Sequence, residues 1–512
     1  MSAKTSSLRV GLSGLLVVIL LGPLLALLPG LARISPAEVL EPARHLPLLA
    51  TTLAYTLAVT VTCVLLATLA SSLVWNHAPE TLRLLAVFQL ALVALPPYLH
   101  ALSWQSITDL ADLPFTGWVA AWWVQAMALS PIATGVVLLG LAGLDNELVR
   151  VARVQRRGRD VLLLVVLPLI APALSVAGAG VFLLTLTDYS VAQSFRQTPA
   201  AFEIFAEFAA SHDAGRATWL ALPLIVLALP CLPVLNRGLS HLSLKKAGNT
   251  PAALDLPIAL RLAQVMAAVC VIALPGLTVL AGLALRLTAS GATVAGTPFL
   301  AIVQSSALAA VAAALALPLG FAAAQRMRLP GRSGQVWRML ILLPLALPAP
   351  LIGIGLISLW NHDATAWVYD ASLILILTHL ARFLPLAALV AGMALARLDR
   401  KLLNVAQVFA PTLWHAWVQV RGPMLLPIGS MAGFLVFVLA LSELPASLLT
   451  APPGSDSLAA LIYGYLHYGA SDRAAGLGLA LPGLALGAAA VIWGLTRLWG
   501  NLLPPTSREG GE

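Results

Sequence analysis

The sequence predicts an all-α membrane protein of about twelve transmembrane helices, arranged as two parallel six-helix repeats. Three observations predict it: an apolar composition with few charges, a one-sided distribution of basic residues, and residue matches that recur at a separation near 255.

Of the 512 residues, 60% are hydrophobic and only 10% charged, whereas a soluble domain carries roughly 25% charged residues. Such a chain cannot cover itself with an ordinary solvated surface. Its apolar runs are continuous over about twenty residues or more, the length an α-helix needs to cross a bilayer. A β-barrel would show short alternating strands instead. The runs place spans near 10–30, 47–75, 81–103, 115–143, 161–187 and 217–236, then 259–287, 297–324, 336–360, 367–396, 422–443 and 475–498. Lys4 and Arg9 precede the first run, which is long for a signal-peptide core and reads as an uncleaved span.

Basic residues orient these spans. Lys4 and Arg9, Arg83, then Arg150, Arg153, Arg156, Arg157 and Arg159 alternate with poorly basic connections. The pattern continues with Arg237, Lys245, Lys246 and Arg261, then Arg326, Arg328, Arg332 and Arg338. Arg397, Arg400, Lys401 and Arg421 follow, and finally Arg497 and Arg508, together 22 of the 29 lysines and arginines. Cytoplasmic segments collect such charge, so both termini are expected inside, in a cell inner membrane. The same distribution accounts for the net charge of +8. With no basic-aromatic groove motif beside it, nucleic acid is not an expected partner. Cys63, Cys231 and Cys270 lie in apolar stretches without CxxC spacing and read as small buried hydrophobes.

The polar stretch from Leu239 to Asp255 divides the chain. The expected organisation is a first half over 1–238, a linker over 239–258 and a second half over 259–512. Pro168 and Pro423, Gly178 and Gly433, Phe182 and Phe437, Leu186 and Leu441, and Asp188 and Glu443 are each 255 apart. Asp145 and Asp399 differ by 254. An even number of spans per half keeps both halves in one orientation, so their symmetry axis runs along the membrane normal.

The connection before the fifth span of each half carries a short amphipathic segment. In the first, Leu148, Val151 and Ala152 recur at helical spacing; in the second, Leu402, Val405, Ala406 and Phe409 do so. A helix of this kind needs lipid headgroups or a partner groove to cover its apolar face. Both segments resemble the EAA coupling loop of binding-protein-dependent ATP-binding-cassette (ABC) importer permeases. Leu186-Thr187-Asp188-Tyr189-Ser190, Leu441-Ser442-Glu443-Leu444-Pro445 and Ala381-Arg382-Phe383-Leu384-Pro385 are similar to fused permeases of the iron(III) and thiamine type. In the loop pattern, Arg150 and Asn404 stand at the acidic position and Ala152 and Ala406 keep the second alanine. Arg156 and Ala410 replace the glycine, while Gly158 can supply the first turn, and Pro168 and Pro423 open the next span.

The resemblance implies a transport subunit rather than an enzyme. Glu147, Arg150, Ala152, Arg156, Gly158 and Pro168 would meet an ABC ATPase dimer on the cytoplasmic side. Asp399, Leu402, Ala406, Ala410, Trp414 and Pro423 would do the same from the second half. A substrate-binding protein would deliver solute from the opposite side. The chain has four lysines and no GxxxxGK[ST] phosphate cradle, so ATP would be hydrolysed by the partner, and no cofactor is expected.

Arg382, with His379 one turn before it, and the helix-end acids Asp188 and Glu443 are the charged residues that invite a pathway role. A structural ion pair accounts equally for Arg382, and a solvated end or a backbone hydrogen bond for the two acids. An ion-coupled secondary transporter with a parallel repeat would use the same residues for coupling.

Overall fold

The computed structural model describes residues 2–502 apart from 78–80, 82–84, 86–88, 90, 91, 94, 242–253, 291–298, 397–421, 453, 455, 456, 469 and 470. The described residues form helices and connecting turns, with no strand among them. This follows from the apolar composition, because lipid offers a backbone N–H or C=O no partner and a helix satisfies both internally.

Seven helices are long and apolar enough to cross a membrane: Val10–Arg33, Pro42–His77, Gly117–Ala142, Ile258–Thr288, Phe299–Met327, Leu373–Ala396 and Arg473–Ile492. Three more spans emerge if sharply bent pairs count as one each. These are Gly158–Leu169 with Ala171–Thr187 at 66°, Ala214–Ala228 with Cys231–Leu239 at 42°, and Gly331–Ala346 with Ala349–Trp360 at 107°. The twelve expected spans are thus seven to ten among the described residues. Much of the third expected span, 81–103, lies outside the described residues; its described end enters Pro97–Leu110, a helix of 14 residues that rises about 21 Å. The eleventh lies in Gly422–Ser442, whose described apolar stretch begins at Gly429.

Proline sets two of the interruptions. Pro96 has the extended backbone of an N-cap ahead of Pro97–Leu110, and Pro348 takes the corresponding place ahead of Ala349–Trp360. A proline lacks the N–H a continuing helix would need, while its fixed φ suits a helix start. A proline within a span can give a packing kink instead, as Pro96, Pro97, Pro348 and Pro350 could. The structure shows helices that begin anew there.

Packing follows a pattern that recurs along the chain. Pro42–His77, Gly117–Ala142 and Ala171–Thr187 pack mutually, and so do Phe299–Met327, Leu373–Ala396 and Gly422–Ser442. The first helix, Ser2–Arg33, leaves its neighbours in sequence to pack on Ala349–Trp360, and the helix Leu274–Ser290 packs on Pro97–Leu110. Glycine permits both long-range contacts. A Cβ on Gly355 would run into the Pro23 backbone, and one on Gly282 into the Ser103 backbone.

The described end of the linker is part of this packing. Leu254 and Leu256 are buried, and Asn76 grips the Leu254 peptide from both sides, its amide donating to the carbonyl and its oxygen accepting from the N–H. Residues 242–253, including Lys245 and Lys246, lie outside the described residues.

Replacing Gly355 or Gly282 with alanine should destabilise the chain by about 1–3 kcal/mol, the usual cost of overpacking a close contact. Alanine at Gly135, whose Cβ would meet nothing within 4 Å, is the neutral control. Thermal unfolding of the three variants in lipid nanodiscs measures the difference.

Candidate functional site

Two regions hold the residues singled out in the sequence. The first is the helix Asn146–Gln155 and the turn after it. Asp145 caps the helix by accepting from the Glu147 N–H, and Glu147 pairs with Arg150 at 3.1 Å on the surface. Val149 is fully buried and the partly buried Ala152 packs on the same core. These two pin the helix, so its opposite side turns outward. Leu148, Val151 and Val154 are 54%, 62% and 87% exposed. The face expected from Leu148, Val151 and Ala152 is therefore divided, with Ala152 inward and Val154 completing the outward row.

Arg156 ends this helix in an exposed, extended conformation, and the chain reverses into the next helix at Gly158. A Cβ on Gly158 would strike the Asp255 carbonyl, so this glycine is where the linker end crosses the loop. Pro168 lies just before the 66° bend of the fifth expected span. The corresponding residues of the second half, Asp399, Leu402, Ala406, Ala410 and Trp414, lie outside the described residues. Pro423 belongs to the first turn of Gly422–Ser442, and its side chain is not described.

The second region lies at the other end of the same spans, where Asp188 terminates Ala171–Thr187 and Glu443 follows Ser442. Glu443 is buried, and Asp188 is partly buried and held by hydrogen bonds. Asp188 accepts from the Ser190 N–H and hydroxyl, both at 3.1 Å, and from the Gln125 amide at 3.2 Å. Glu443 accepts from the Ala446 N–H at 3.0 Å, the Ser447 N–H at 2.7 Å and the Ser447 hydroxyl. Each carboxylate thus caps the short helix that follows it, Ser190–Ser194 or Ser447–Thr450, satisfying N–H groups that have no partner within the turn.

A side chain from mid-membrane completes each arrangement, and here the two differ. Gln125, on Gly117–Ala142, serves Asp188, whereas Arg382, on Leu373–Ala396, pairs with Glu443 at 2.5 Å. The guanidinium is 17% exposed and the carboxylate fully buried. Arg382 also lies over the Phe383 ring and acts electrostatically on Asp188. His379 is buried on the same helix, within range of Glu443 and Arg382. Asp188, His379, Arg382 and Glu443 therefore form one cluster.

Around it stand groups not singled out in the sequence. Tyr189 is fully buried and stacks with Phe202 and Phe205. Tyr98 is buried within range of Glu443. The Tyr463 hydroxyl donates to Gln193 Oε1 at 3.0 Å, joining residues 270 apart. Gln125 was detectable as a polar side chain inside an apolar run, and Ser190 and Ser447 as cap partners two and four residues after an acid. The tyrosines carry no such signal, since interfacial anchoring explains them as well. Among the described residues, no group of three or more His, Cys, Asp or Glu side chains could hold a metal ion.

No protein-family model matches the chain. Among curated proteins it is similar to "Putative 2-aminoethylphosphonate transport system permease protein PhnV" of Salmonella typhimurium strain LT2 and to the protein of that name from Salmonella choleraesuis strain SC-B67. Each is 27% identical over 195 residues, covering 36% of this chain and 70% of the relative. The Salmonella paratyphi A protein matches to the same extent. Those shares make each relative about half as long as this chain.

Removing the Arg382 charge as Arg382→Met should cost about 3–5 kcal/mol, because it strands a buried carboxylate. Adding Glu443→Gln should recover a large part of that loss. A double-mutant cycle on unfolding midpoints reads the coupling, and additivity of the two changes would show that the pair is not coupled. The similarity to these proteins supports a multi-pass membrane chain that serves as a transport permease subunit.

Proposed function

We propose that this chain is the transmembrane subunit of an ABC importer, with both halves of the pathway on one polypeptide. The similarity to transport-system permeases of about half its length carries this reading. The recurring packing of three helices in each part and the exchanged contacts of Ser2–Arg33 and Leu274–Ser290 support two parallel halves. Solute passes between the halves as they rock against one another, and both termini lie in the cytoplasm.

The exposed row of Leu148, Val151 and Val154, ringed by Arg153, Arg156 and Arg157, suits a groove on an ATPase subunit. An apolar row supplies binding energy and the arginines supply orientation. ATP-driven closure of the ATPase pair would move this helix and, through the buried Val149, the spans beneath it. The segment 399–414 takes the same role in the second half. A binding protein delivers solute at the opposite end, near Ala200–Ser211 and Leu458–His467. The solute class that best accords with the relatives is a small organophosphonate; the similarity lends nothing to iron(III) or thiamine.

The partly buried Asp188 and Arg382 and the buried Glu443 favour one rival, a secondary transporter in which ion binding drives the cycle. Reconstitution separates the two. With its ATPase and binding protein in proteoliposomes, the chain should take up solute only with ATP, and uptake under an ion gradient alone would overturn the importer reading. Val151→Asp should lower ATP-dependent uptake about tenfold or more by placing an unpaired charge in the contact. Because Val151 is exposed, its unfolding midpoint should stay within about 1 °C of the parent.

A further inference from the structure

Among the described residues, the charges gathered around Asp188 and Glu443 do not balance. Asp188 and Glu443 contribute two carboxylates, and Arg382, committed to Glu443 at 2.5 Å, contributes one permanent cation. Asp188 is held by neutral donors only: the Gln125 amide and the Ser190 N–H and hydroxyl. Asp188 is partly buried, and a carboxylate drawn partly out of water gains from a counter-charge as well as from hydrogen bonds.

The hydrogen bonding is also incomplete. Gln125 Oε1, the Tyr98 and Tyr189 hydroxyls and both ring nitrogens of His379 are buried without a partner. Their residues are at most 4% exposed. Orphaned polar atoms in such number are uncommon in a folded interior. They are not scattered, because Tyr98 lies within electrostatic range of Glu443, Tyr189 of both carboxylates, and His379 of Glu443 and Arg382.

One chemical group supplies both missing things. A protonated primary amine carries one positive charge and three N–H donors, matching a carboxylate and two uncharged acceptors. We propose that the seam between Asp188 and Glu443 is a transit site for solutes bearing a protonated amino group, with Asp188 as counter-charge and Gln125 Oε1 and the Tyr189 hydroxyl as acceptors. This rests on the reading of the chain as a permease whose solute passes between its halves. It also assigns the two polar spans unequal tasks. Arg382 keeps Glu443 neutralised and in place, while the uncharged Gln125 leaves Asp188 available.

The test uses the full chain in lipid nanodiscs and reads its unfolding midpoint with about 10 mM of each probe, enough to shift the midpoint if the dissociation constant is near 0.1 mM. 2-Aminoethylphosphonate and 2-aminoethanol should each raise the midpoint by about 2 °C, and ethylphosphonate, which lacks the amine, should not. Asp188→Asn should weaken amine binding at least tenfold and Tyr189→Phe about threefold. The second variant keeps the ring, so it reads the site even if Asp188→Asn fails to fold. Equal stabilisation by ethylphosphonate, an unchanged amine response in both variants, no response to any amine, or the same shift from sodium or potassium alone would each overturn the proposal. ATP-dependent uptake separates this from the permease reading. Uptake by the parent chain with unaltered amine binding in the variants removes the site and leaves the permease. Amine binding without ATP-dependent uptake does the reverse.

Discussion

Everything in this structure depends on one constraint: a backbone inside lipid has nothing but itself and its own side chains to bond with. Continuous helices meet that condition at no further cost. Breaks do not, and the chain has several, with bends of 66°, 42° and 107°. Each break exposes N–H groups that something must satisfy. At the ends of Ala171–Thr187 and Gly422–Ser442 that task falls to Asp188 and Glu443, each folding back onto the short helix that follows. The acids that look like solute ligands in the sequence are thus also the caps that make these turns possible.

Capping with a carboxylate brings a charge into a buried place, and that charge dictates the next layer. A buried Glu443 requires a counter-charge, which Arg382 supplies from the middle of a neighbouring helix. The burial of His379 and the ring contact with Phe383 follow from where the arginine has to stand. At the opposite end, the same economy of partners shapes the helix Asn146–Gln155. Val149 and Ala152 are drawn into the core, and three apolar side chains are left facing outward.

Much of this was legible in the sequence, for physical reasons that differ from residue to residue. The spans were legible because lipid demands long apolar runs, and the 255-residue separation of Asp188 and Glu443 marked two positions with one role. The eleventh span, expected over 422–443, is the helix Gly422–Ser442, while most of the third before Pro96 lies outside the described residues. Hydropathy counts apolar residues and cannot see that Pro96 and Pro97 restart a helix. The amphipathic segment was legible by its period, but a period alone does not say which flank is drawn inward. That depends on Val149 meeting the core of distant helices. The pairing of Arg382 with Glu443 spans 61 residues and was open to the sequence only as one of several possible partners. Asn76 on Leu254 was not legible at all, since a lone asparagine at a helix end gives no hint of a peptide 178 residues away.

In the proposed permease, joining two halves on one chain has a consequence that two identical subunits would not share. Identical subunits must present the same side chain on both sides of their axis, so a polar group facing the seam would be doubled. Here the two acids occupy equivalent caps, yet one is served by a neutral amide and the other by a guanidinium. The two caps are alike because each satisfies backbone N–H groups after a helix end. The side chains that do not serve the backbone have been free to differ. On the proposed reading, a seam with one compensated and one uncompensated carboxylate is polar in a fixed direction across the solute's path. Such a direction distinguishes the two ends of an asymmetric solute, which a strictly two-fold seam could not do.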